Sequence, residues 1–304
     1  MRPFFGKVPR AFGPLAFVAL ATGSSLTAQS GPSSTGARSQ PLGARVLALG
    51  GLDVALADPE AVAANPALLL TARGLAVSVQ GQHRGGAAGS AAMISTVGPV
   101  TFGLVARHAG PPDDHLPMGR PAWIGGGPGD HSAEHPATTA LTLSAARTVK
   151  GQRLGVGVTY ANDGADAKPG TLSLDLGYQR PLWMGLLGVS ATALDPGMAP
   201  DLRLAAGWFA SRAVGAAWDV GVGVQASVWG DGELQPVGAA ELSYVPIQGV
   251  ALTLRSGVRT PRGATQGILT AGLGASLDHL AVDYALAPLR DGGGVMHRVG
   301  LRIR

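Results

Sequence analysis

The chain has 304 residues, of which 47 are glycine, 22 are proline and none is cysteine. So much glycine and proline argues against a helical bundle or a coiled coil, and the absence of cysteine excludes disulfides, thiolate zinc sites and a cysteine nucleophile. The apolar fraction of 46% is too high for a disordered chain, and the formal net charge is only +4.

Residues 1–28 have the pattern of a secretory signal. A short apolar run follows three basic residues (Arg2, Lys7 and Arg10), and Ala28 offers a small residue for cleavage. The alternative is a retained anchor helix, but the apolar run is too short to span a bilayer. Removal of the signal leaves 20 basic and 19 acidic residues. The high isoelectric point therefore gives no reason to expect nucleic-acid binding, which requires a clustered basic surface.

Two segments follow that lack a strand pattern. Residues 29–42 are rich in serine, glycine and proline and predict a flexible linker. Within residues 43–72, Asp58 is a good N-cap and Pro59 suits a first helical turn. These residues predict a short helix that ends at Ala64.

The rest of this segment begins with Asn65–Pro66, which resets the backbone because a residue before proline avoids the helical region. A second helical turn is expected through Leu70. The functional interpretation of residues 43–72 is a plug inside a barrel. The alternative is an ordinary capped helix outside the sheet.

Over residues 73–304 the chain alternates apolar with small or polar residues in segments of about ten residues, the length of a membrane-spanning strand. Leu172, Leu174 and Leu176, for example, share one face, and Asp175 lies on the opposite face. A period of two predicts strands with one apolar face. The fourteen candidates span residues 73–82, 86–96, 99–108, 137–148, 152–161, 170–180, 184–193, 201–210, 217–229, 234–245, 249–259, 265–277, 279–287 and 294–304.

Two architectures use such strands. A soluble sandwich turns apolar faces inward, whereas a membrane barrel turns them toward lipid. The polar face favours the barrel because it is rich in glycine. Such a face would be poorly solvated on the surface of a sandwich, whereas inside a barrel it leaves room for a plug. Charges within the strands lie almost wholly on the polar face, as expected when a midplane arginine in lipid costs about 2–4 kcal/mol. The candidate lumenal charges are Arg107, Asp175, Arg203, Glu241, Arg255, Asp283 and Arg298. We expect their carboxylates and guanidiniums to pair across the lumen.

The connections also favour the barrel. Long ones such as 109–136 alternate with tight turns such as 149–151, and barrels have long outer loops and short periplasmic turns. Residues 211–216 fit this alternation less well. Trp229 is another exception, since it falls on the polar face although interface aromatics belong on the lipid face.

The predicted fold is therefore an all-β transmembrane antiparallel β-barrel of about fourteen strands over residues 73–304, with a short N-terminal helical plug segment. Twelve strands are an alternative count, and a soluble or surface β-protein is the alternative architecture. The predicted location is the bacterial outer membrane.

The sequence predicts no enzymatic activity and no bound metal or other cofactor. No Gly-x-Ser-x-Gly elbow or Walker lysine occurs, and His297 has the parity of the apolar face. The loop 109–136 is interpreted as a solvated loop because its spacing matches no metal-ligand motif. Its candidate metal ligands are Asp113, Asp114, His115, Asp130, His131, Glu134 and His135.

Both ends of the chain resemble the PorV/PorQ-like outer-membrane proteins, which are similar in turn to the FadL class of hydrophobic-compound transporters. The middle of the chain matches only in barrel patterning. One departure is the last residues, Arg302–Arg304, where such barrels usually end on an aromatic residue. The matching stretches are 42–45, 49–51, 54–59, 65–67, 282–286 and 294–303.

The resemblance implies a fourteen-stranded barrel with an N-terminal hatch. FadL-like members pass fatty acids or other apolar molecules through a lateral opening, and PorV-like members hold and release cargo of the type IX secretion system. The implied partners are membrane lipid with an apolar solute such as a fatty acid, or secretion-system components; a purely structural barrel is the third alternative. The implied hatch motif comprises Gly50, Gly51, Asp58, Pro59, Asn65 and Pro66.

Overall fold

The computed structural model describes residues 42–82, 87–109, 138–162, 170–194, 202–261, 267–289 and 294–303. The predicted signal over residues 1–28 lies outside these ranges, as do all but one residue of the predicted linker. The loop over residues 109–136, with its candidate metal ligands, also lies outside them apart from Ala109.

Fourteen antiparallel strands form a closed wall. Each strand pairs with its neighbours in sequence, and the last strand returns to the first, where Leu75 lies opposite Ile303. The predicted fourteen-strand barrel is confirmed. The strands are β1 (Leu75–Gln82), β2 (Ala87–Val97), β3 (Val100–Ala109), β4 (Thr138–Val149), β5 (Gln152–Asn162), β6 (Thr171–Leu182), β7 (Gly185–Leu194), β8 (Arg203–Val214), β9 (Trp218–Trp229), β10 (Leu234–Ile247), β11 (Val250–Arg259), β12 (Leu269–Leu277), β13 (Leu280–Pro288) and β14 (Val295–Ile303).

Strand β8 is longer than predicted. It runs to Val214, and only residues 215–217 connect it to β9. The sequence obscured this because Arg212 occupies an outward position, where an apolar residue was expected. The irregular segment 211–216 is therefore mostly strand, and the alternation of connection lengths holds there as well.

The connections give the barrel two unlike ends. At the short-turn end, two or three residues join successive strands, as at 150–151 and 215–217. At the long-connection end, the links range from residues 230–233 to residues 110–137. Strand β1 begins and β14 finishes at the short-turn end, as expected for an even number of strands.

The barrel is apolar outside and polar inside. Leu143, Leu172 and Leu273 are 59%, 62% and 57% exposed on the outer face, like many other large apolar side chains. Gln80 and Gln225 are buried on the inner face. This distribution is the reverse of that in a soluble protein. A closed sheet also provides hydrogen-bond partners for all its backbone groups, as a structure within lipid requires. The strands therefore span a membrane.

Residues 42–72, called the inner segment below, contain three short helical pieces. Helix α1 spans Ala44–Ala48, and two 3₁₀ helices span Glu60–Ala63 and Pro66–Leu70. No helix in the described part of the chain is long and apolar enough to cross a membrane.

The inner segment differs locally from the predicted helices. The predicted helix after Asp58 is a single 3₁₀ turn, with Pro59 at the N-cap position; the carboxylate of Asp58 accepts a hydrogen bond from the Glu60 amide at 3.1 Å. The turn is short because Asn65 precedes a proline and has an extended backbone. Helix α1 was not predicted, since five residues are too few to show a helical period.

Candidate functional site

The inner segment lies inside the barrel. Val46, Leu56 and Leu68 have no exposed surface, although they belong to no strand. Helix α1 packs against strands β11 to β14, and the second 3₁₀ helix packs against β4, β5 and β6. The first 3₁₀ helix contacts β2, β3 and β4. The inner segment thus occupies the lumen against all these strands.

Glycines of the wall allow this close approach. A side chain at Gly177, Gly188 or Gly257 would overlap atoms of the inner segment, including its backbone. Backbone atoms cannot rotate away as a side-chain tip does, so these positions require glycine. The wall glycines against the inner segment include Gly103, Gly155, Gly177, Gly188, Gly223, Gly257 and Gly272.

Gly50 and Gly51 end helix α1 and turn the chain. Both have left-handed backbone angles, with φ of 73° and 92°, which glycine adopts without a steric penalty. Their amides donate to the carbonyls of Leu47 and Val46 at 3.1 and 2.9 Å. This turn directs the following residues toward β9.

A chain of buried ion pairs fastens the inner segment to one side of the wall. Arg45 of helix α1 forms two hydrogen bonds with the carboxylate of Glu241 on β10, both at 3.1 Å. Arg255 on β11 contacts the same carboxylate at 2.5 Å and the carboxylate of Asp283 on β13 at 2.5 Å. Arg255 therefore stands between two buried carboxylates.

The ion chain continues back to the inner segment. Arg302 on β14 contacts Asp283 at 2.6 Å and Asp58 at 3.4 Å. Both ends of the chain, Arg45 and Asp58, thus belong to the inner segment. Three guanidiniums alternate with three carboxylates, so the buried charges balance.

A second cluster holds the inner segment on the β8–β9 side. The side-chain carbonyl of Gln225 accepts the backbone amides of Asp53 and Val54 at 3.0 and 3.1 Å. Arg203 binds the carboxylate of Asp53 through two nitrogens, at 2.8 and 2.9 Å. The guanidinium also lies 5.5 Å from the ring centre of Trp229. Trp229 thus has a role inside the barrel, which explains its parity.

Asn65 joins two parts of the inner segment to the wall. Its side-chain amide donates to the carbonyl of Val54 at 2.7 Å and to that of Tyr178 on β6 at 3.3 Å. Its oxygen accepts the amide of Ala67 at 3.1 Å, with Pro66 at the first helical position. The side chain therefore caps the second 3₁₀ helix and fixes the turn before it.

Glu60 is a buried carboxyl group of the inner segment, outside the spanning strands. Its Oε1 accepts hydrogen bonds from the hydroxyls of Ser78 at 2.7 Å and Ser90 at 2.5 Å. Burial, and then the nearby carboxylate of Asp58, raise the pKa of Glu60 from 4.5 to about 7; the two hydroxyls and Arg298 oppose this rise.

We expect the substitution Glu60→Gln to reduce the pH dependence of stability. A raised pKa means that the folded state holds this proton more strongly, so the free energy of unfolding falls as pH rises from 4.5 to about 7. Glutamine does not titrate and removes this contribution. Urea unfolding at about pH 5 and about pH 8 measures the difference. The control is Glu233→Gln at the β9–β10 connection, and an equal pH dependence in wild type and Glu60→Gln would contradict the expectation.

The remaining predicted lumenal charges lie toward the long-connection end. Asp175 accepts a hydrogen bond from the Thr159 hydroxyl at 2.6 Å, and Arg298 donates to Gln80. Arg107 lines a small polar cavity. The cavity measures about 40 Å³, room for about three water molecules. Its other charged lining residues are Asp53, Glu60, Asp175 and Arg203.

The wall beside this cavity is irregular. The β6–β7 register shifts between Leu174 and Leu176, which face Leu194 and Ala191. Within this bulge Ala193 has a left-handed φ of 58°, and its amide donates to the Asp175 carboxylate at 2.9 Å. A side chain thus takes the place of a strand carbonyl at this point. Thr192 and Ala193 line the cavity from the same bulge.

Sequence reasoning missed the partners that the inner segment supplies. Arg45, Asp53 and Glu60 sit in a segment without strand periodicity, so their faces could not be assigned. Gln225 and Arg302 have the inward parity of their strands, and that parity was the available signal. The wall charges were expected to pair with each other. Arg255 does so with Glu241 and Asp283, whereas Arg203 binds Asp53 of the inner segment.

No described group of three histidine or carboxylate side chains is placed to hold a metal ion. No family model matches the chain, and no curated protein matches it.

Solved structures similar to the chain include the Acinetobacter baumannii outer membrane protein Omp33, a bacterial polysaccharide outer membrane secretin and the KdgM porin. Each is 8% identical, and each match covers 76% of this chain and 98% of the other. The TM-scores are 0.46, 0.43 and 0.35. At this level of similarity they carry no functional argument, and the fold assignment rests on the strand register itself.

Proposed function

We propose that the protein is a bacterial outer-membrane barrel that is closed by its inner segment and that passes apolar or amphiphilic solutes sideways into the bilayer. The observation that carries this proposal is the occupied lumen. A diffusion pore has an open, water-filled interior, whereas here buried ion pairs and hydrogen bonds hold residues 42–72 across the interior. A solute therefore crosses only if the inner segment moves or two strands of the wall separate.

The β6–β7 bulge supports a sideways route. At Ala193 one strand-to-strand hydrogen bond is replaced by a bond to the Asp175 carboxylate, beside the polar cavity. Asn65 and Pro66 lie against β6, which forms one side of this bulge. A shift of the Asn65–Pro66 turn would enlarge the cavity next to the proposed exit.

Both chain ends resemble PorV/PorQ-like proteins, which are similar in turn to the FadL class. Because FadL-like members pass apolar molecules, this resemblance supports an apolar or amphiphilic solute. In this proposal the polar head group of the solute enters the cavity, where Arg107 and Arg203 lie beside Asp53, Glu60 and Asp175, while the tail leaves between the strands. Membrane lipid surrounds the barrel in this proposal.

Deletion of residues 43–72 tests the closure. The deleted protein is expected to conduct ions in planar bilayers in resolved steps, whereas the full chain stays closed. A gel-mobility shift on heating first establishes that the shortened barrel is folded. A folded deletion variant that conducts no better than the full chain would reject the plug.

The solute is tested separately by mass spectrometry of protein purified without harsh detergent. Co-purified fatty acid or lipid, released on denaturation, is the expected result, and Arg203→Gln should reduce it. Recovery of exported proteins in place of any lipid would reject solute transport in favour of cargo handling.

A further inference from the structure

Three arginines stand on the outer face of the barrel near its short-turn end. Arg147, Arg180 and Arg212 have the outward parity of β4, β6 and β8 and are exposed. Each lies two residues before the last residue of its strand. They therefore occupy equivalent positions on three successive strands that run toward the short turns.

The other strands that run in this direction carry no charge at the equivalent position. Two residues before their ends, β2, β10, β12 and β14 have Ser95, Val245, Ala275 and Leu301. The arginines thus form a cluster on one arc of the rim and are not a general feature of it.

The turns of this arc extend the cluster. Lys150 is exposed in the β4–β5 turn, and Trp183 in the β6–β7 turn is 78% exposed. Arg212 contacts the sulfur of Met184 in the same turn at 3.8 Å. From Thr138 to Val220, the carboxylates in the described residues are Asp175 and Asp219, and both have the inward parity of their strands. No described acidic side chain neutralises the arc from outside.

We propose that this arc, formed by Arg147, Lys150, Arg180, Trp183 and Arg212, binds the head groups of acidic phospholipids in the leaflet at the short-turn end. Arginines at the ends of spanning segments reach the interface with their charged groups. Tryptophan favours the same depth, and guanidiniums bind phosphate through paired hydrogen bonds. Short turns face the periplasm in bacterial barrels, so the leaflet concerned is the inner, phospholipid leaflet.

The test compares retention of phosphatidylglycerol and phosphatidylcholine from equimolar mixed micelles by native mass spectrometry. The wild type should retain phosphatidylglycerol preferentially. The triple variant Arg147→Gln/Arg180→Gln/Arg212→Gln should lose about a hundredfold of this preference, because each arginine at an anionic surface is worth about fivefold in affinity and the three factors multiply. If the triple variant does not fold, Arg180→Gln alone should lose about fivefold.

The matched control is Arg73→Gln, which removes one exposed arginine outside the arc. It has the same change of net charge as Arg180→Gln and should leave the preference unchanged. An equal loss in Arg73→Gln and Arg180→Gln, or an unchanged preference in the triple variant, would overturn the proposal. None of these outcomes depends on whether the barrel transports a solute.

Discussion

Replacement of Arg255 by methionine is expected to lower the free energy of unfolding by about 3 kcal/mol or more. Arg255 lies between Glu241 and Asp283 with contacts of 2.5 Å to each, and all three side chains are nearly buried. Loss of one partner leaves buried carboxylates undercompensated, which costs about 3–5 kcal/mol in proteins generally. Because Arg45 and Arg302 still contact these carboxylates, we expect the lower end of that range.

Urea titration in detergent micelles, followed by tryptophan fluorescence, measures this loss. The control is Arg73→Met, which removes an exposed arginine near the start of β1. It should change the free energy of unfolding by less than about 0.5 kcal/mol. Equal stability of Arg255→Met and wild type would show that the ion chain does not hold the inner segment to the wall.

Replacement of Gly257 by leucine is expected to open the barrel. A side chain at this position of β11 would overlap the backbone of Leu49 and Gly50, which cannot move without shifting the α1 turn. The substitution leaves the lipid-facing side chains of the wall unchanged, so the wall should still form. The inner segment should then leave the lumen, expose Arg45 to trypsin and allow ion conduction.

Planar-bilayer recordings and limited trypsin digestion read out this change. Gly81→Leu is the control, because an added Cβ there meets no atom within 4 Å, and it should remain closed and resistant. A folded Gly257→Leu variant that stays both closed and resistant would mean that the inner segment does not depend on close packing against this wall.

The wall could be predicted from the sequence because each strand repeats a local rule. The alternation of Leu172, Leu174 and Leu176 with Asp175 assigns each side chain to one face of its strand. This assignment requires no information about the neighbouring strands. The alternation fails at residues that are charged on the outer face or aromatic on the inner face. Arg212 is outward and charged, which concealed the end of β8, and Trp229 is inward and aromatic because it packs against Arg203.

The interior could be predicted only in part. The pairing of Arg45 with Glu241 joins residues 196 positions apart, and no local pattern selects that partner. Asn65 and Pro66 predicted a change of backbone direction, because a residue before proline avoids the helical region. Their contacts with the wall depend on the path of the whole segment, which local preferences do not determine.

A cross-link between the inner segment and the wall tests whether the inner segment occupies the lumen. The Cβ of Ala44 lies 3.2 Å from the position of a Cβ on Gly300 of β14, close to the separation of about 3.5–4.5 Å in disulfides. The chain has no cysteine, so Ala44→Cys/Gly300→Cys introduces a unique pair. We predict that this pair forms a disulfide under mild oxidation in native membranes, while Ala44→Cys/Gly81→Cys, with its second cysteine on the outer face, does not. A heat-modifiable, folded barrel that fails to form the Ala44→Cys/Gly300→Cys disulfide would show that helix α1 does not pack against β14 inside the lumen.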